Sequence, residues 1–174
     1  MKRILSIPVI LLFCISCNPS AEVRQKDNYF DIKDYFNKEI TRLSLKKPVF
    51  TKTVAVDTAS ETKTVNIKDW KRELSAFTDA DLNKASWKGL FKVQKNGSQE
   101  VYTSDHEKVP VKKVTVFYKG TQVKGFNILI RNNNSLYTST DSLTYYADSI
   151  YRVKKTQHIR LLSPKVYTIT GKFK

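Results

Sequence analysis

Hydrophobic and polar positions follow three different periods along the chain. Residues 4–15 are almost all apolar, residues 32–43 repeat every three or four positions, and from about residue 86 apolar and polar residues alternate. In the second zone Ile32, Tyr35, Phe36, Ile40 and Leu43 share one stripe, while Lys33, Asp34, Lys38 and Arg42 lie off it. That spacing predicts an amphipathic helix over about 31–45. Asp31 stands where an N-cap carboxylate accepts from the first free amides, and Pro48 disfavours helical geometry at Lys47. Val49 to Val56 and Glu61 to Ile67 are rich in Val and Thr and are separated by Asp57-Thr58-Ala59-Ser60, so they read as a β-hairpin. Ile67, Trp70, Leu74 and Phe77 fall on a second helical stripe, which predicts a helix over about 68–77. Thr78 and Asp81 resemble a capping box with Asp in place of Glu or Gln, predicting a further helical turn over 79–84.

From Ser86 onward the chain reads as strands. Trp87, Gly89, Phe91 and Val93 alternate with mostly polar residues, Asn96-Gly97 is the strongest hairpin signal, and Gln99 to Thr103 returns. After a polar turn around Asp105 and His106, Val111 to Lys119 and Gln122 to Arg131 flank Gly120. Asn132-Asn133-Asn134 marks another turn, and Leu136 to Ala147, Ile150 to Leu162 and Val166 to Phe173 complete the series. Such short turns permit antiparallel pairing but leave no room for the crossovers that parallel neighbours require. The expected fold class is α+β: a curved antiparallel β-meander of about seven to nine strands with two main helices packed on it.

The apolar zone at the start speaks to location rather than to fold. Lys2 and Arg3 precede it, it is too short to cross roughly 30 Å of hydrocarbon, and no second such run follows, so residues 1–16 read as a secretory signal peptide. The zone ends in Cys14-Ile15-Ser16-Cys17. A small residue directly before a Cys at the end of such a signal resembles the lipobox of bacterial lipoproteins, the signal peptidase II type. Cys14 stands where that family usually has Leu. The resemblance implies a diacylglyceryl group, palmitate-like in its chains, on the Cys17 thiol, cleavage before that residue, and acylation of the new amino terminus. Two or three acyl chains hold a protein to a bilayer lastingly, since each buried methylene contributes about 0.8 kcal/mol. Asn18 stands where Asp favours inner-membrane retention in enterobacterial lipoproteins, so the resemblance points to the cell envelope and there to the outer membrane. The domain that follows is rich in Tyr, Asn and Lys and looks like those of Bacteroidota-type lipoproteins. Residues 17–28 are polar and aperiodic, a tether with a reach of roughly 18 Å, and residues 29–174 form a single α+β domain.

Composition narrows the partners. The formal charge is +15, or +13 once Lys2 and Arg3 leave with the signal. So basic a protein attracts anions: phospholipid or lipopolysaccharide head groups and acidic glycans, with nucleic acid the least expected because of export. The same lysines would also serve simply to solvate the outer faces of strands. Cys14 leaves with the signal and Cys17 carries lipid, which excludes an internal disulfide, a thiolate nucleophile and a cysteine metal site from the folded domain.

Catalytic constellations are sparse. His106 and His158 are the only histidines; His106 lies in Ser104-Asp105-His106-Glu107, where turn formation accounts for the polar residues. Metalloprotease, nucleophile-elbow, phosphate-loop and calcium-loop motifs are all missing, so no catalytic residue, metal or cofactor is expected. Between Ile150 and Leu162, however, Arg152, Lys154, Thr156, His158 and Arg160 occupy alternate positions, with Tyr151, Val153, Gln157, Ile159 and Leu161 between them and Lys155 as the exception. Alternation sends the two sets to opposite faces, so Arg152, Lys154, His158 and Arg160 are the candidate anion-binding row, joined by Lys113 or Lys124 if the register permits. Three functions are compatible with these features. The leading one is a non-catalytic binding module of the envelope. The second is a carrier of lipid or another hydrophobic ligand in an open half-barrel, an architecture that resembles the carriers and receptors of periplasmic lipoprotein transport; a cavity lined by Phe36, Trp70 and Phe126 would favour it. The third is an envelope hydrolase, for which convergent carboxylates beside His106 or His158 would speak.

Overall fold

The computed structural model describes residues 29–174; the predicted signal, Cys17 and the tether fall outside the described residues. Helix α1 spans Ile32–Lys46. The Asp31 carboxylate caps it by accepting from the Asp34 amide at 2.8 Å, and Lys47 ends it in the left-handed conformation with its amide on the Leu43 carbonyl. Ile32, Phe36 and Leu43 are fully buried, as the stripe predicts. The hairpin follows as β1 (Val49–Val56) and β2 (Ala59–Asn66). Its turn is tighter than the four residues expected, since Ala59 and Ser60 already pair with Val56 and Ala55.

The predicted helix over 68–77 is broken into two single turns, α2 (Trp70–Glu73) and α3 (Ser75–Thr78). The Ser75 hydroxyl donates to the Arg72 carbonyl and the Thr78 hydroxyl to that of Ser75, so side chains compete for helical acceptors at the break. No helical turn forms over 79–84 either: Asp81 caps the Asn83 amide, and a 3₁₀ turn over Ala85–Trp87 follows instead. Among the described residues only α1 is therefore a main helix, where two were expected. Residues 86–91, expected as strand from their alternation, fall in this turn and the approach to β3.

Seven strands then run in order: β3 (Lys92–Asn96), β4 (Gln99–Thr103), β5 (Val111–Lys119), β6 (Gln122–Asn133), β7 (Tyr137–Tyr146), β8 (Ile150–Ile159) and β9 (Lys165–Phe173). All nine strands form one antiparallel sheet in the order β2-β1-β9-β8-β7-β6-β5-β4-β3, open at β2 and β3. The first hairpin thus joins the sheet beside the last strand, and residues 67–91 cross one face from edge to edge.

That face is the core side. Phe36 of α1 stacks on Phe77 of α3 at 4.8 Å between ring centres and meets Phe126 and Tyr145 of the sheet at 5.2 and 5.0 Å. Trp70 packs on Phe50 at 4.9 Å. Two carboxylates bolt the helices to the strands. Glu39 accepts from the Tyr145 hydroxyl and pairs with Arg42, and Glu73 accepts from the Tyr151 hydroxyl and pairs with Lys52 at 2.7 Å. Burial raises both tyrosine hydroxyls well above their ordinary range, and the adjacent carboxylate raises them further, so they remain protonated donors.

A more exposed cluster pins α1 to the β7–β8 turn, where Asp148 accepts from Lys46 at 2.9 Å and Arg42 at 3.0 Å. The Lys46 hydrogen bond leads in holding the Asp148 carboxyl below its usual range. A depressed carboxylate stabilises the fold above its unfolded pKa, and that contribution disappears as pH falls through the folded value. Asp148→Asn is expected to lower stability by about 0.5–1 kcal/mol at neutral pH. Urea titrations should show the gap to the parent narrowing as pH is lowered through the carboxylate range.

Candidate anion-binding face

The opposite face of the sheet has no helix on it among the described residues. The register places one residue from every strand in a straight row: Gln94, Val101, Thr115, Asn127, Thr144, Arg152, Thr170, Thr53 and Thr62. The adjacent row runs Lys92, Thr103, Lys113, Leu129, Ser142, Lys154, Thr168, Ala55 and Ser60. At about 4.8 Å between strands, each row is about 38 Å long. Arg131 and Thr156 continue the pattern through Thr140 on one side, and Lys172 lies beyond it on the other.

The strand carboxylates all lie on one face, while cations occupy both. The strands contain three acids, Glu61, Glu100 and Asp141, and the register puts all three on the helix side, opposite Val54, Val116 and Lys155. Each has a cation of its own: Lys63 at 2.6 Å, Lys95 at 2.8 Å and Lys155 at 3.8 Å. By contrast Lys113, Arg131, Arg152, Lys154 and Lys172 form no ion pair among the described residues. The Arg152 Nε donates only to the Thr170 hydroxyl, at 3.4 Å. The bare face therefore combines unneutralised cations with short hydroxyl side chains that both donate and accept. A depression of about 300 Å³ opens on it, lined by Lys113, Thr115, Asn127, Leu129, Ser142 and Thr144.

The structure brings together Arg152, Lys154 and His158 from the predicted row, and the register lets Lys113, one of the two lysines named as possible additions, join them. Arg160 is separated from them, because β8 ends at Ile159 and Arg160 enters the turn with its amide on the Leu136 carbonyl. Lys124 sits where the register between β5 and β6 shifts, its amine on Gln122 at 2.8 Å. Lys155, the exception in the alternation, points to the helix side and faces Asp141. Burial raises the Asp141 carboxyl above its usual value, and Lys155 offsets this only in part.

Among the described residues, two of the clefts lie between the helices and the sheet. One of about 540 Å³ runs under α2, lined by Lys52, Val65, Ile67, Lys68, Asp69, Arg72, Glu73, Tyr151, Val153 and Ile169. Another of about 340 Å³ lies between α3 and strands β5 to β8, and includes Asp79, Lys84, Trp87 and Asp141. Phe36, Trp70 and Phe126 line neither; they are packed against their neighbours in the core. His106 lines neither cleft and instead stabilises its own loop, accepting from the Lys108 amide on Nδ1 while its carbonyl takes Lys112. His158 is exposed on the bare face. Among the described residues no three His, Cys, Asp or Glu side chains converge as a metal site would require.

No protein-family model, curated protein or solved structure matches the chain. The chemistry of the face itself is what indicates a function. Sequence reasoning misses Arg131, Lys172 and the threonine rows, whose common face is set by pairings between distant strands; alternation within each strand is the signal they leave, without the register that aligns them.

Proposed function

We propose that the domain is a non-catalytic binding module of the bacterial cell envelope, tethered by lipid on Cys17, probing an anionic envelope component with the bare face of its sheet. The observation that carries the reading is the segregation of charge: every strand carboxylate is on the helix side, while Lys113, Arg131, Arg152, Lys154 and Lys172 stand without an ion pair among the described residues on the other. Purely solvating lysines would be expected to alternate with acids. Here nothing local neutralises them, so a polyanion gains several contacts at once. The rows run across all nine strands of the sheet, which gives a long anionic ligand several points of contact. Phosphate or carboxylate groups on a glycan chain or a lipopolysaccharide core share the chemistry that would recognise it, with the hydroxyl rows supplying hydrogen bonds to sugar oxygens.

The carrier reading is less well supported, since the aromatic residues that would line its cavity fill the core instead. The cleft under α2 is its remaining foothold.

Lys113→Ser, Arg152→Ser and Lys154→Ser together are expected to weaken binding to lipopolysaccharide by roughly ten-fold or more at low salt, with a shallower salt dependence than the parent. A de-lipidated polysaccharide in a parallel titration separates glycan from lipid contacts. Equal affinity for parent and variant, with the fold intact by circular dichroism, would return these residues to plain solvation.

A further inference from the structure

The end of the sheet where β6 meets β7 and β8 meets β9 carries the most exposed aliphatic side chains of the described domain apart from Leu45 on α1. Leu136 is 70 %, Leu161 95 % and Leu162 60 % exposed, and the two turns are joined by the hydrogen bond from the Arg160 amide to the Leu136 carbonyl at 2.9 Å. Ile159, at the end of β8, is 40 % exposed beside them.

The backbone singles out one of these leucines. Among the described residues, four other than glycine have positive φ: Lys47, Asp57, Asp148 and Leu161. Lys47 is the C-cap of α1, and Asp57 and Asp148 are short polar residues in hairpin turns, where such a conformation is tolerated. Leu161 has φ +69° in the turn closed by the Leu162 amide on the Ile159 carbonyl, a position at which glycine is ordinary. A leucine there is unfavourable for the backbone and leaves nearly its whole side chain in water. Packing in the fold repays neither.

The surroundings identify what covers it. Arg160 precedes the leucines in the same turn, Lys165 opens β9 just after it, and His158 lies near the end of β8; none makes an ion pair among the described residues. The adjacent acid, Asp57, uses its carboxylate to accept the Val166 amide. Three projecting side chains on two turn tips are too small and too convex for a stable protein interface, which needs about 800 Å² from each partner. A fluid bilayer demands no matching shape, and anionic head groups complement the basic flank.

We infer that the paired turns at Leu136 and Leu161-Leu162 form a tip that enters an anionic phospholipid bilayer, with Arg160 and Lys165 at the head groups. The inference goes beyond the binding face, and needs neither its strand cations nor the lipid on Cys17. The tip holds this end of the sheet against the membrane and so fixes the angle at which the domain stands.

The test uses the full chain with vesicles of phosphatidylethanolamine and phosphatidylglycerol. Leu161→Trp should show a blue-shifted emission on these vesicles, quenched by lipids carrying a spin label in the upper acyl chain, relative to the parent with Trp70 and Trp87 alone. In the full chain carrying Cys17→Ser, so that no lipid on that residue adds to partitioning, Leu136→Ser, Leu161→Ser and Leu162→Ser together should reduce vesicle partitioning on the order of ten-fold. Leu161→Gly should reduce partitioning in the same direction without lowering the melting temperature, which separates the tip from any role in folding. Leu161→Trp placed in the Lys113→Ser, Arg152→Ser, Lys154→Ser variant should keep its emission shift even if glycan binding is lost. Absence of both the shift and the partitioning loss would overturn the inference. So would a shift of equal size on phosphatidylcholine alone, or one that grows with protein concentration without vesicles, which would mean that a second copy covers the leucines.

Discussion

Phe36→Ala is expected to remove about 4 kcal/mol from the unfolding free energy, a large share of what holds a domain of this size together. Phe36 is fully buried, and its ring meets α3 and the central strands together, through Phe77, Phe126 and Tyr145. Deleting it opens a cavity between three rings whose positions are fixed from both sides, so little collapse can fill it. Chemical denaturation monitored by circular dichroism should show the midpoint fall with an unchanged slope. Leu45→Ala on the same helix, where the side chain is largely exposed, should change stability by no more than about 0.5 kcal/mol. A loss below about 1.5 kcal/mol for Phe36→Ala would mean that the helix is not held to the sheet by this cluster.

Gly171→Ala is expected to cost about 3 kcal/mol although it adds a single methyl group. Gly171 of β9 pairs with Tyr151 of β8 and Lys52 of β1, and the Tyr151 ring lies across it. A Cβ there would overlap the ring at Cε1 and Cζ, closer than carbon atoms approach. The ring would have to turn away, which would pull its hydroxyl from Glu73 and leave that carboxylate with Lys52 alone. The melting temperature should fall by roughly 6–12 °C at this chain length. In a double-mutant cycle Gly171→Ala should cost much less on a Tyr151→Ala background, because the obstruction is gone. Additive losses would show that the glycine is needed for another reason.

The parts of this fold that are legible in the sequence are those decided within a dozen residues. Helix α1 has its cap, its stripe and its terminating proline in one continuous stretch, and strand β5 has the limits that alternation gives it. The stretch from Trp70 to Thr78 reads as one helix because its apolar period is helical; the hydroxyls of Ser75 and Thr78, which interrupt it, carry no signal in that period. Trp87 alternates with Gly89 and Phe91 as a strand would, yet it is drawn into a 3₁₀ turn with Lys84 over its ring at 4.3 Å. For the candidate face, alternation in β8 puts Arg152, Lys154 and His158 on one side, and the strand register agrees. Their neighbours Lys113 and Arg131 belong to other strands, β5 and β6, and only the hydrogen-bond ladder relates them. Lys155 looks like a flaw in the pattern for the same reason, since its partner Asp141 is on another strand.

The pairing of β1 with β9 has a consequence for how the molecule comes into being. Phe50 must find Phe173 and Val54 must find Ile169, so the opening hairpin has no place to dock until residues 165–173 have been synthesised. Contacts of such long sequence separation form slowly, and a polypeptide emerging from the ribosome stays without its completed sheet throughout elongation. The last strand is thus the piece that closes the order of the sheet: a chain without residues 165–173 leaves β1 and β8 with no neighbour on their facing edges.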